Sequence, residues 1–179
     1  MRVLSLLVLT FLGCIAMAPP SPSGQPSVSP SASPTATGST TPIPQTLTPP
    51  AGWKPQDVTF NTGPLKKDRA WVDPSHDSAI ISSHLDVPSL SGPDLDKIEA
   101  LMRKRMIAMA GVQGVGPSTR VKICNGKQDG VLTKMTLPKV TQEIMLAVSD
   151  RAYVAEYVRR NGVAEDPAAS RSLSTLCAP

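Results

Sequence analysis

Along this chain the apolar side chains change their spacing several times, and each change marks a different kind of element. Residues 3–12, VLSLLVLTFL, are apolar with no periodicity. From Pro19 to Ala51 large apolar side chains nearly vanish and Pro, Ser, Thr and Gly replace them. Short extended pieces follow around Asp57–Phe60 and at Trp71-Val72, separated by the turn signal Gly63-Pro64. Ala79 to Val87 alternates: Ile81, Leu85 and Val87 point one way, Ile80, His84 and Asp86 the other, and Pro88 closes the run. Period two over that length predicts a strand. Ser91-Gly92-Pro93-Asp94 then reads as a helix start. Leu95, Ile98, Met102, Met106 and Met109 form one apolar stripe on that helix, with Asp96, Glu99, Arg103 and Lys104 off it. Gly111 ends it as a left-handed cap.

Beyond the glycine-rich connector at 111–116 the chain reads as a series of strand-like runs. Strands are predicted at Arg120–Cys124, Val131–Leu137, Val140–Val148 and Ala152–Arg160. The last three are joined at Pro138-Lys139 and Ser149-Asp150, connections so short that the neighbours are antiparallel and form a meander. Asn161-Gly162 ends the last strand. Asp166 and Pro167 suit the N-cap and first position of a closing helix, whose inward side carries Ala169, Leu173, Leu176 and Cys177. The expected fold class is therefore α+β, an antiparallel meander with an amphipathic helix and a C-terminal helix packed on it. Its expected core includes Leu95, Ile98, Met102, Leu173, Leu176 and at least one of Trp53 and Trp71.

The N-terminal third changes the picture of where the domain lives. Met1-Arg2, the apolar run and the small pair Gly13-Cys14 have the form of an export signal. The run is short of the roughly 20 residues a membrane-spanning helix needs. Two processing routes fit. Gly13-Cys14 resembles a lipobox, which would leave Cys14 lipidated, although Phe11 and Leu12 depart from its usual small residues. Cleavage after Ala16, using the small Cys14 and Ala16, is the other. Either route removes Cys14 from the thiol count, so Cys124 and Cys177 are expected to pair as a disulfide in an oxidising compartment. Residues 1–18 are thus read as a leader, 19–51 as a disordered Pro/Ser/Thr linker and 52–179 as the globular domain. The linker holds no Lys, Arg, Asp or Glu, and if extended at about 3.1 Å per residue it reaches ~100 Å.

Of the 179 residues, charged ones are 18% and aromatic ones 3%, and the net charge is +4. With Arg2 the only charge ahead of the domain, +3 is left for the rest, too little to announce a nucleic-acid or membrane partner. The scarcity of aromatics removes base-stacking platforms as well. No residue set reads as a cofactor, metal or catalytic motif. Gly111 to Gly116 lacks both phosphate-loop fingerprints, no G-x-S-x-G elbow occurs, and neither Cys124 nor Cys177 belongs to a Cys-x-x-Cys. The carboxylate pairs Asp94/Asp96 and Glu165/Asp166 sit at helix starts, where the dipole explains them. His76 and His84 are eight apart on different elements, against the convergent spacing a metal wants. A site near either histidine, built with a Ser or Asp in space, is the one enzymatic alternative left, a hydrolase.

A tryptophan near the start, early extended pieces, an amphipathic helix, an antiparallel meander and a closing helix together resemble the PsbP-like α/β/α sandwich. The ending AEYVRRNGVAEDPAASRSLSTLC, with the upstream CNGKQDG, is similar to uncharacterised exported bacterial proteins of that architecture. The resemblance spans residues 52–179 and implies a non-catalytic binding or assembly module, with an envelope protein or a small ligand as partner. Membrane contact is expected only through an N-terminal lipid at Cys14. Capture is expected from one face of the sandwich or from residues 111–119.

Overall fold

The computed structural model describes residues 46–57, 65–85 and 94–179. The expected leader, most of the linker, Cys14, Phe60 and the end of the first alternating run at 86–88 lie outside the described residues. Among the described residues seven strands occur in chain order: β1 (Lys54–Gln56), β2 (Leu65–Val72), β3 (Ser78–Leu85), β4 (Gly114–Ile123), β5 (Gln128–Thr136), β6 (Val140–Val148) and β7 (Ala152–Arg160). Helix α1 (Leu95–Ala108) lies between β3 and β4, and α2 (Pro167–Leu173) follows β7.

All seven strands join one antiparallel sheet in the order β1-β2-β3-β7-β6-β5-β4. This corrects the α+β expectation. The described residues are 48% strand and 18% helix, so the fold is mainly β. The physical reason is the β3–β7 pairing, which runs from Ser78↔Arg159 to Leu85↔Ala152. It fuses the early extended pieces onto the meander and makes the sheet seven strands wide. The helices, of 14 and 7 residues, are too short to cover it as full layers.

Alternation along β7 sets the two faces. Tyr153, Ala155 and Tyr157 pack on one side with Trp71, Ile80, Met145 and the α2 residues Ala169 and Leu173. Ala152 and Val154 pack on the other with Leu146, Ile144, Met135 and the α1 residues Ile98 and Met106. The core residues expected from spacing are found there. Ile98, Leu173 and Leu176 are buried, and Leu95 and Met102 pack partly buried against the same cluster as Ile98. Trp71 is a core residue, and Trp53 meets Tyr157 edge-on at 6.2 Å between ring centroids.

The N-caps follow their chemistry, while α1 ends at Ala108 with an extended Met109 as C-cap, ahead of the expected left-handed cap at Gly111. Asp94 accepts from the N–H groups of Asp96 and Lys97 at 2.9 and 3.4 Å, and Asp166 accepts from Ala168 at 2.8 Å with Pro167 at the first helical position. Two local expectations are corrected. The glycine-rich stretch is strand from Gly114 onward, an edge position where the shift in register between Val115 and Ser118 accommodates Pro117. The closing helix stops at Leu173, so Cys177 is not on it. Cys177 instead pairs with Thr46 in an antiparallel bridge, its N–H donating to Thr46 O at 2.9 Å. The fold therefore takes in residues ahead of Gly52: Leu47 packs on the core, and Thr48 N–H donates to Thr175 Oγ1 at 2.8 Å.

Candidate functional site

The register of β2 against β3 slips between Lys67 and Arg69, leaving Asp68 as an extra residue. Such a bulge re-aims a side chain. Here both Asp68 carboxylate oxygens lie against His84 Nδ1, at 2.9 and 3.0 Å. The imidazole is 8% exposed and the carboxylate 20%, so the histidine sits behind and the aspartate in front. His84 stands opposite Tyr153 in the β3–β7 ladder. The Tyr153 hydroxyl donates to Asp150 Oδ1 at 2.6 Å, and burial and then that carboxylate push the phenol up from its ordinary value.

In front of Asp68 the sheet edge is notched. β1 ends at Gln56, opposite Ala70, and past its end lies a cleft of about 360 Å³ lined by Pro55, Gln56, Asp68, Arg69, Ala70 and Trp71. The cleft presents a carboxylate held from behind and an exposed guanidinium, and the buried Trp71 is among the residues lining it. That set can hold a small polar ligand carrying both donors and acceptors. A carboxylate on Nδ1 leaves Nε2 as the proton-transferring nitrogen, the orientation of a general base. Its neighbours on the same face, Ser82 and Tyr153, are 2% and 0% exposed, so a substrate has little access to a nucleophile beside it.

His76 does not join this site. It occupies the tight turn before β3 in the left-handed region, at φ 62°, exposed, with its N–H donating to Asp73 O at 3.0 Å. β3 separates it from His84, and among the described residues no group of three or more His, Cys, Asp or Glu is placed to hold a metal ion.

A second polar cluster lies on the α2 face. Buried Glu143 on β6 has Oε1 2.7 Å from Lys134 Nζ on β5, off the line of a hydrogen bond, so the contact is an ion pair. Lys134 also reaches Glu165 Oε2 at 3.1 Å, and Arg159 Nη2 is 3.9 Å from the same oxygen. Glu143 and then Glu165 raise the Lys134 ammonium above its ordinary value, and Lys134 holds the Glu165 carboxyl below its own. The cluster ties the approach to α2 onto the sheet. It also divides the carboxylates that sequence reasoning had treated alike: Asp166 caps the helix and Glu165 bridges. Likewise Asp94 caps α1, while Asp96 pairs with Arg120.

Cys124 and Cys177 form a disulfide, with Cα atoms 4.6 Å apart. Cys124, Asn125 and Gly126 all have positive φ, 53°, 56° and 81°, and this turn aims the Cys124 side chain at the C-terminal tail. The bond is the state cysteines hold in an oxidising compartment. Among the described residues no helix is long and apolar enough to cross a membrane. Comparison with protein-family models and with curated proteins found no match for the chain.

Sequence reasoning missed Asp68 and the buried carboxylates Glu143 and Glu156. The available signal for the latter two was a single acid inside an apolar strand run, IMLAV after Glu143 and AYVA before Glu156.

Proposed function

We propose that the protein is an extracytoplasmic binding module, exported by its leader and tethered by its Pro/Ser/Thr linker, that captures a small polar ligand in the cleft at the end of β1. The observation that carries this reading is the Asp68–His84 contact. The imidazole spends its Nδ1 on fixing the carboxylate, and the carboxylate faces a cleft beside Arg69 and Trp71. A fixed anion beside a cation is recognition geometry, and a volume of about 360 Å³ suits a small molecule. The disulfide supports the compartment, and Thr46, where the linker meets the fold, is held by the tail that the disulfide anchors. Whether the tether ends in a lipid at Cys14 or the chain is freely secreted is decided by the mass of the mature N-terminus.

A second reading, a hydrolase using Asp68 and His84 as an orienting carboxylate and base, has the same contact in its favour. The burial of His84 and Ser82 ranks it below binding. One experiment separates the two. Thermal shifts are measured with a panel of small polar ligands, sugars and amino acids among them, alongside turnover of ester, peptide and glycoside substrates. Binding predicts a ligand-dependent rise in Tm that is lost in Arg69→Ala and in Asp68→Asn, with no turnover. Turnover abolished by His84→Ala would replace the binding reading with the enzyme.

A further inference from the structure

Helix α1 has a second face that the core does not use. At 3.6 residues per turn its inner arc holds Leu95, Ile98, Met102, Met106 and, just past its end, Met109. The flank toward β4 holds its acids, and both are engaged: Asp96 pairs with Arg120, and Glu99 accepts from the Ser118 hydroxyl. The outer arc, roughly 160° wide by the same geometry, carries Lys97, Leu101, Lys104, Arg105 and Ile107, and its remaining positions are alanine. It contains no acid. Leu101 and Ile107 are 46% and 61% exposed, and they are the two exposed large hydrophobics among the described residues. Lys97 is 81% exposed and lies 3.8 Å from the capping Asp94, while Lys104 and Arg105 meet no acidic side chain among the described residues.

We propose that the outer face of α1 docks the domain onto the surface of an anionic phospholipid bilayer. The face is a convex ridge on which Lys97 and Lys104 lie between the aliphatic Leu101 and Ile107, with the half-buried Arg105 just beyond Leu101. A bilayer surface accommodates such a ridge without a preformed groove, taking Leu101 and Ile107 below the headgroups while the lysine and arginine stems reach back to the phosphates. An acidic protein would need a concave groove to cover the same arc. Each basic side chain near an anionic surface contributes on the order of a fivefold gain in partitioning. The contact would add to any N-terminal tether and would orient the domain with α1 toward the membrane. It does not depend on the cleft.

The test uses the full chain with Cys14→Ser throughout, so that no acyl group contributes and the remaining cysteines are bonded to each other. Ile107→Cys carries an environment-sensitive nitrobenzoxadiazole label. The control is Arg171→Cys with the same label, on α2 across the sheet. Vesicles of phosphatidylglycerol and phosphatidylcholine are expected to shift the label at position 107 to the blue and leave the control unchanged. Pure phosphatidylcholine vesicles should not shift it. Lys104→Glu with Arg105→Glu should raise the lipid concentration at half-effect by roughly 25-fold or more, two charges at about fivefold each. The proposal is overturned by no shift on anionic vesicles, by an equal shift on neutral ones, by an equal shift at position 171, or by indifference to the charge reversal. A shift produced by polyglutamate without lipid would make the partner an acidic polypeptide and overturn it too.

Discussion

Glu156 offers the sharpest quantitative test of how this sheet is built. Alternation places it on the α1 face of β7, opposite Ile81 on β3 and Ile144 on β6, with Val154 and Val158 two residues either side. It is 6% exposed. Burial pushes its carboxyl up from 4.5 to about 7, and Lys67, on β2 with β3 between them, pulls it back only in part. The folded state thus binds this proton more tightly than the unfolded chain does. Below about pH 4.5 both states are protonated and Glu156 has no effect on stability. Between there and about 7 the unfolded chain releases the proton first, so stability falls as pH rises. Above about 7 both are ionised and the loss is complete. At about 1.4 kcal/mol per pH unit the interval amounts to roughly 3 kcal/mol, a large fraction of the 5–15 kcal/mol typical of a whole domain.

Glu156→Gln keeps the shape and removes the proton. Urea unfolding of both proteins from pH 4.5 to 8.5 should give near-equal stabilities at the acid end. The variant should gain steadily and lead by about 3 kcal/mol above pH 7.5. Comparing the two cancels the opposite trend from Asp150 and Glu165, whose lowered carboxyls lose stability as pH falls. Lys67→Met should raise the upper end of the window, because the cation that favours the ionised carboxylate is gone. A difference between wild type and Glu156→Gln that stays flat across the range would refute the reasoning, since it would mean the carboxyl titrates alike in both states.

Two further outcomes follow from packing. Cys177→Ser opens a loop of 53 residues, worth about 4 kcal/mol in the chain-entropy model, and frees the tail that holds Thr46. Hydrogen exchange at the Thr46, Thr48 and Cys177 amides should accelerate with the loss of stability, and an unchanged denaturation midpoint would count against it. Gly130→Ala would bring a Cβ to 3.1 Å from two Ile123 methyl carbons and from the Leu146 carbonyl oxygen. Because the carbonyl belongs to the ladder and cannot give way cheaply, the substitution should cost about 1–3 kcal/mol, read as a lowered Tm.

The meander was legible because two signals coincided at each strand. β6 and β7 run over the predicted strand-like runs, with turn chemistry at Pro138-Lys139 and Ser149-Asp150 agreeing at both junctions. Where one signal was missing the reading slipped. Leu173, Leu176 and Cys177 fit helical spacing, and they fit equally well a helix that stops at Leu173 and a tail that turns back on the core. Gly114, Gly116 and Pro117 look like a connector, yet an edge strand tolerates them because one side of its backbone has no ladder to complete. The pairing of β3 with β7 links residues far apart in the chain, and no local pattern in either strand names its partner.

The candidate site was hidden by the same irregularity that creates it. In LKKDRAWV three consecutive charged or polar side chains precede Arg69, and no alternation survives across them, so the segment reads as extended only at Trp71-Val72. Its register slips at Asp68, and the residues on either side of the slip follow phases offset by one. A slip of one residue exchanges the faces of everything beyond it. Without the bulge, the phase set by Lys66 opposite His84 would aim Asp68 elsewhere in the ladder. With it, the carboxylate meets the imidazole and the cleft at once. Deleting Asp68 should therefore restore a regular β2 ladder while removing the fixed anion. That is the perturbation in which sheet stability and ligand capture move apart: unfolding by urea should be no easier than in the wild type, and the ligand-dependent Tm rise should vanish. Loss of both together would show that the bulge is part of what holds β2 to β3.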